Sequence, residues 1–259
     1  MTIGDSMSEM TTQPQAPAKF EKKVLTAELR KSIIVSPDSK HLEFKVNELE
    51  QFPFVAGQFV SIRQPRPDGK MHTRAYSIAS PPRTDGTFDI VLNRVDEGFM
   101  SNWLCDIEVG TNVTFHGPHG LFTMREPKHD AVFIATGTGI APFRSMAQWL
   151  FAEPERNRDR EFWLVFGTRY HHGIYYREEF EQLAREHSNF HYIATLSRCQ
   201  DDWQGCRGYV QDHVREVVRG RQNMIAYICG LNDMVDHNRK MLMEEMGWDR
   251  KQIVFERYD

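Results

Sequence analysis

Apolar and polar positions follow two different rhythms along the chain. From Phe20 to about Met124, short β-rich runs at residues 24–35, 42–46, 59–63, 73–78, 88–94 and 112–116 are separated by turn residues such as Pro37-Asp38, Asp68-Gly69 and Asp85-Gly86. One short helix is expected near residues 100–105. Many short strands at close spacing predict an all-β antiparallel barrel of Greek-key type. Beyond Arg125-Glu126-Pro127-Lys128 the rhythm changes: apolar runs at 131–135, 162–166, 191–196, 224–229 and 253–255 alternate with helical patterns at 143–151, 177–186, 210–218 and 233–246. This alternation predicts an α/β doubly wound domain around a five-stranded parallel sheet. The expected organisation is a disordered leader over residues 1–19, a β-barrel domain over 20–125 and an α/β domain over 126–259.

Composition narrows the function classes. Among 259 residues there are 32 Lys+Arg against 36 Asp+Glu, a net charge of −4, and neither half is dominated by one sign. No Lys/Arg-rich run supports a nucleic-acid binder. No apolar stretch has the length of a bilayer span, and the first residues lack the pattern of a secretion signal, so a cytoplasmic monomer is expected. Cys105, Cys199, Cys206 and Cys229 form neither CxxC nor the spacing of a plant-type iron–sulfur cluster. His171-His172 and His116/His119 lack companion ligands at metal-site spacing and read as loop or surface histidines, so no metal is expected.

Several short strings carry chemistry. Arg74-Ala75-Tyr76-Ser77 closes a predicted strand and offers a cation, a ring and a hydroxyl on alternating sides; on spacing alone an ordinary half-exposed strand fits as well. Gly98-Phe99-Met100-Ser101 opens a helix, whose first amides favour an anion, although Ser101 also fits a plain capping residue. Gly137-Thr138-Gly139-Ile140-Ala141-Pro142 follows an apolar strand, and its glycines let a dinucleotide approach the backbone. Cys229 reads first as a small buried hydrophobe, and Glu256 and Tyr258 as a frayed tail. At the third α/β strand end, Ser197, Arg198, Arg207 and Tyr209 suit a 2′-phosphate and an adenine, or else a solvated surface.

Taken together, RAYSIAS, GFMSNWL, GTGIAP, Cys229-Gly230 and the terminal E-x-Y resemble the ferredoxin–NADP reductase family over nearly the whole chain beyond the leader. The resemblance implies FAD in the barrel and NADP(H) on the α/β domain. Arg74 would neutralise the pyrophosphate, Ala75 and Tyr76 would line the ring system, and Ser77 would hydrogen-bond flavin N5. Leu92, Asn93 and Arg94 match a strand running past the flavin, while Gly98, Met100 and Ser101 match its second flavin motif. By the same resemblance Cys229 sets the nicotinamide position, Glu256 assists protonation and Tyr258 covers the flavin; Asp259 departs from the pattern by following the aromatic. The implied partner is ferredoxin or flavodoxin, with Arg63, Arg66, Lys70 and Arg83 as docking candidates. Two other readings stay open here: an NADH-dependent reductase component of an oxygenase or cytochrome system, and an electron-transfer subunit of a larger complex.

Overall fold

The period-two alternation of the first half is realised in a computed structural model describing residues 24–124, 129–199, 202–221 and 223–258. Strands β1 (Leu25–Ser36), β2 (Ser39–Val46), β3 (Phe59–Pro65), β4 (Met71–Ser77), β5 (Thr87–Asn93) and β6 (Asn112–His119) form one antiparallel sheet in the order β4-β3-β6-β1-β2-β5. A bridge between Ile78 and Ile90 brings the end of β4 to β5, so the two sheet edges meet. Leu25, Ala27 and Leu29 on β1, and Leu42, Phe44 and Val46 on β2, point to one interior. Phe52, Phe88 and Phe115 fill its centre with ring centroids 5.3–5.6 Å apart. Helix α1 (Phe99–Asp106) sends Met100, Leu104 and Cys105 into the same core.

In the second half, β7 (Asp130–Thr136), β8 (Phe162–Thr168), β9 (Phe190–Leu196), β10 (Cys206–Arg207), β11 (Met224–Leu231) and β12 (Ile253–Tyr258) are all parallel, in the order β10-β9-β8-β7-β11-β12. Helices α2 (Ala141–Phe151), α3 (Pro154–Asn157), α4 (Arg177–Glu186), α5 (Val210–Val218) and α6 (Asn232–Lys240) accompany it. Alternate residues of β7 feed different cores: Phe133 and Ala135 pack with Phe143 and Phe166, whereas Val132 and Ile134 pack with Val210 and Val214. Both faces are thereby covered, which explains why the strand reads as a continuous apolar run.

Three details differ from the sequence expectation. The parallel sheet has six strands rather than five, because the two exposed residues Cys206 and Arg207 pair with Thr195 and Leu196. A strand that short has no periodicity to read. A 3₁₀ turn over Gly137–Ile140 precedes α2, and α6 stops at Lys240, after which Met241–Glu245 forms a π turn. The expected leader and the expected boundary at 125/126 lie outside the described residues. Among the described residues no helix is long and apolar enough to cross a membrane. The strand order reverses at β7, so the loop at its C-terminal end lies at a topological switch point.

Candidate functional site

The two sheets meet where β4 ends. Ser77 is 5% exposed, and the hydroxyl of Tyr258, 181 residues away, donates to its Oγ. Tyr258 and Glu256 ride on β12, whose register sets Glu256 beside Cys229 and Tyr258 beside Leu231 of β11. The Cys229 side chain is fully buried and hydrogen-bonded to Tyr258. Burial, reinforced by the Glu256 charge, pushes its thiol well above the ordinary range. Burial likewise raises the Tyr258 phenol, with Cys229 and Glu256 adding to the effect. The Glu256 carboxyl is pushed up to about 7 by burial. Ser77, Cys229, Glu256 and Tyr258, drawn from three strands, thus form one cluster; Asp259 lies outside the described residues.

Beside this cluster, β4 presents exposed Arg74 and Ala75 and half-buried Tyr76, which packs on the barrel core. Helix α1 starts close by, with Gly98 at its N-cap, no side chain on its first amides and no acidic residue in its first turn. Ser101 Oγ instead donates to Gly98 O at 3.2 Å and accepts from Val95 N at 3.2 Å. A Cβ on Gly98 would come within 2.5 Å of that hydroxyl, so the tight entry requires glycine. An uncapped helix start beside an exposed arginine fits a diphosphate group. Leu92 and Met100, expected to contact a flavin, are 3% and 2% exposed within the barrel core; only their backbones remain available to a ligand. Asn93 is exposed, and Arg94 braces α1 through Asp106 at 3.1 and 2.5 Å and Asn102 at 3.0 Å.

The loop after β7 is shaped by close approach. A Cβ on Gly139 would sit 2.4 Å from Cys229 O, so this glycine lets the turn rest against the end of β11. Gly137, at φ +54°, faces open space, and Thr138 is half-exposed beside it.

Beyond β8 and β9 opens a cavity of about 510 Å³ lined by Tyr170, His171, Arg177, Arg198, Asp202 and Trp203, among others. Arg198 N donates to Arg169 O at 3.0 Å and Ser197 N to Thr168 O at 3.0 Å, which aligns the two strand ends. Arg177 lies 5.3 Å from the Trp203 ring and 3.1 Å from His171 Nε2. Three predicted residues are absent from this lining: Ser197, Arg207, which is exposed and donates to Trp203 O at 2.8 Å, and Tyr209, which is 64% exposed at the start of α5. Conversely, His171, Arg177 and Trp203 were not legible in the sequence as a group, because they converge from three separate segments. His171 had read only as a loop histidine.

The β3–β4 hairpin carries Arg63, Arg66, Lys70 and Arg74, none of which forms an ion pair among the described residues. Burial together with the charges of Arg66 and Arg74 holds the His72 imidazole below its ordinary range. Arg83, expected to belong to this surface, instead grips buried Asp89 through two 2.8 Å bonds.

Two family models match the chain: an oxidoreductase FAD-binding domain over residues 26–124 and an oxidoreductase NAD-binding domain over residues 133–240. The chain is 41% identical over 233 residues to "Ferredoxin--NADP reductase B" of Sorangium cellulosum (strain So ce56), covering 87% of this chain and 93% of that one. It is 34% identical to the reductase component DmpP of phenol 2-monooxygenase from Pseudomonas sp. (strain CF600), covering 86% of this chain but only 62% of that one. Among solved structures, Amycolatopsis cytochrome P450 reductase GcoB superposes with a TM-score of 0.81 at 26% identity, over 91% of this chain and 69% of that one.

Proposed function

Since the chain belongs to the ferredoxin–NADP reductase family of FAD-dependent oxidoreductases, we propose that it exchanges electrons between NADP(H) and a one-electron carrier such as ferredoxin or flavodoxin. The observation that carries the reading is the meeting of Ser77, Cys229, Glu256 and Tyr258 between the two sheets. FAD, when bound, supplies the means to take two electrons as hydride and pass them on singly.

The chain's own residues orient, exclude water and hold protons. Arg74 and the open amides of α1 take the diphosphate charge, and Tyr76 offers its ring from the barrel wall. Ser77 Oγ accepts from the Tyr258 hydroxyl, so its own proton would be available to donate to the flavin. Cys229, kept as a neutral thiol by burial, fixes where the nicotinamide lies. Glu256 holds a proton near neutral pH at the edge of this cluster. Residues 20–125 would form the FAD unit and 126–259 the NADP unit, acting as a monomer in the cytoplasm without nucleic acid. Size measurement by light scattering tests the monomer.

The cavity at Arg198 bears on the nicotinamide cofactor. Arg198, Arg177 and His171 favour a 2′-phosphate, with Trp203 as the flat surface for adenine. Asp202 on the same lining favours a bare ribose and supports a second reading, an NADH-dependent reductase serving an oxygenase. Flavin reduction by NADPH and NADH distinguishes them. NADPH is expected to be preferred, and Arg198→Glu should cut that preference by about 1–2 kcal/mol, or roughly 10-fold. A preference for NADH in the unaltered protein would establish the second reading.

A further inference from the structure

Ser77 ends β4, and Ala79 and Ser80 beyond it are held by both halves of the molecule. Ala79 N donates to Asp89 O at 2.7 Å, and Asp89 N donates to Ser80 Oγ at 3.0 Å, which ties the segment to β5. Arg144 Nη1 donates to Ala79 O at 2.9 Å and reaches Asp89 Oδ2 at 3.4 Å. Ser145 Oγ donates to Ser80 O at 2.6 Å. Ala79, Ser80 and Ser145 are fully buried, and Ala79 packs against Ala141 and Val91.

Arg144 and Ser145 belong to the first turns of α2, directly after the Gly137–Ile140 turn. That turn lies on the backbone of Cys229 and Gly230. Arg144 is itself held in place: its Nε donates to Glu179 Oε2 at 2.9 Å, and its guanidinium lies 4.6 Å from the Tyr176 ring. Tyr176 adopts φ +57°, a backbone state unfavourable for a bulky residue, while its hydroxyl is 2.9 Å from His41 Nδ1 on β2. Close packing of the turn on β11, the direct run of the chain into α2, and the hydrogen bonds of Arg144 and Ser145 therefore connect the Cys229 end of β11 to the backbone beyond Ser77.

We propose that Arg144 is a positioning residue for hydride transfer: with Ser145, it fixes the Ser77 segment relative to the turn beside Cys229. The proposal rests on the reductase reading above, and its physical content is alignment. Hydride transfer needs the reacting atoms within a few tenths of an ångström of their best separation, and a small misplacement far from the chemistry costs large factors. A side chain that anchors Ala79 O acts on that separation without touching either reactant.

Two readouts on Arg144→Met test the role. In stopped flow at saturating NADPH, flavin reduction should slow by roughly 10- to 100-fold, while FAD content and affinity for 2′,5′-ADP stay within about 2-fold, because neither binding surface loses a contact. In hydrogen–deuterium exchange, which needs no turnover, the Ala79 amide should exchange about 10-fold faster, together with those of the Gly137–Ile140 turn. Arg144→Lys, which can still reach Ala79 O, should recover most of both effects. Should Arg144→Met fail to fold, Ser145→Ala is the second probe, expected to slow reduction about 3-fold or more and to loosen Ser80.

Reduction within about 2-fold of the unaltered protein, or unchanged protection at both segments, would overturn the positioning role. A rate loss matched by loss of FAD or of 2′,5′-ADP affinity would overturn it as well. If the unaltered protein is not reduced by NADPH, the functional reading fails instead, and the exchange experiment still decides whether the tie exists.

Discussion

A carboxyl group that titrates at about 7, as Glu256 does, is half-protonated at neutrality, where an exposed glutamate is fully ionised. Because burial raises its folded value above the usual 4.5, its contribution to stability is complete below that ordinary value and is lost as pH rises through about 7. Glu256→Gln should therefore melt higher than the unaltered protein at pH 8 and similarly or lower at pH 5. Thermal denaturation at the two pH values checks this. An apparent ionisation near 7 in the pH profile of flavin reduction should vanish in the same variant. Ser77→Ala should retain FAD and slow reduction by NADPH roughly 10-fold, read in a stopped-flow spectrometer. These residues stood out through the resemblance of their strings to the reductase family, since on spacing alone Ser77 fits an ordinary strand and Glu256 a frayed tail. The side chains of Leu92 and Met100 belong to the barrel core, and Met100 and Leu104, four apart on one helix face, already carried the pattern of a core-facing pair.

Hairpins, turns and helix starts decide what the residues meet. On the proposed function, the β3–β4 hairpin cations, which form no ion pair among the described residues, would give an acidic carrier a surface to dock on. The double variant Arg66→Glu/Lys70→Glu should raise the KM for ferredoxin roughly 10-fold at low salt. Reduction of ferricyanide should remain unchanged, since it requires no docking. Arg83 behaves differently. Its carboxylate partner is buried, so Arg83→Ala should lower unfolding free energy by about 2–3 kcal/mol, measurable in urea. Gly139→Ala would drive a methyl group into Cys229 O, and a loss of about 1–3 kcal/mol with weakened NADP(+) binding is expected in titration and unfolding experiments.

Most strands and helices could be read from periodicity because each buries a regular face. β10 could not, being two residues long and exposed, and neither could the π turn after Lys240, since its methionines and leucine suit a helix of either pitch. The cavity around Arg198 was only partly legible for a related reason. Arg198 belongs to a readable strand end, whereas His171, Arg177 and Trp203 reach it from a turn, a helix and a loop that no linear spacing relates.

At the scale of the molecule, the two sheets are joined around Asp89. Burial alone would raise this carboxyl, but hydrogen bonds from His41 and Arg83, with their charges, outweigh it and hold it at about 2. Its contribution to stability is thus present above the ordinary aspartate value and lost as pH falls through about 2. Asp89→Asn should weaken the protein at pH 7 yet flatten its acid-unfolding limb, as followed by circular dichroism between pH 5 and 2.

The position of β12 has a consequence for how activity is lost. This strand lies at the edge of the parallel sheet and, among the described residues, pairs only with β11, yet it carries both Glu256 and Tyr258. Edge elements open at lower free energy than the strands that flank them. In rising urea, turnover should therefore decline before the circular dichroism signal of the sheets, leaving a folded but idle protein in between. Inactivation would then begin as the peeling of one strand, reversible on dilution, rather than as collapse of either core.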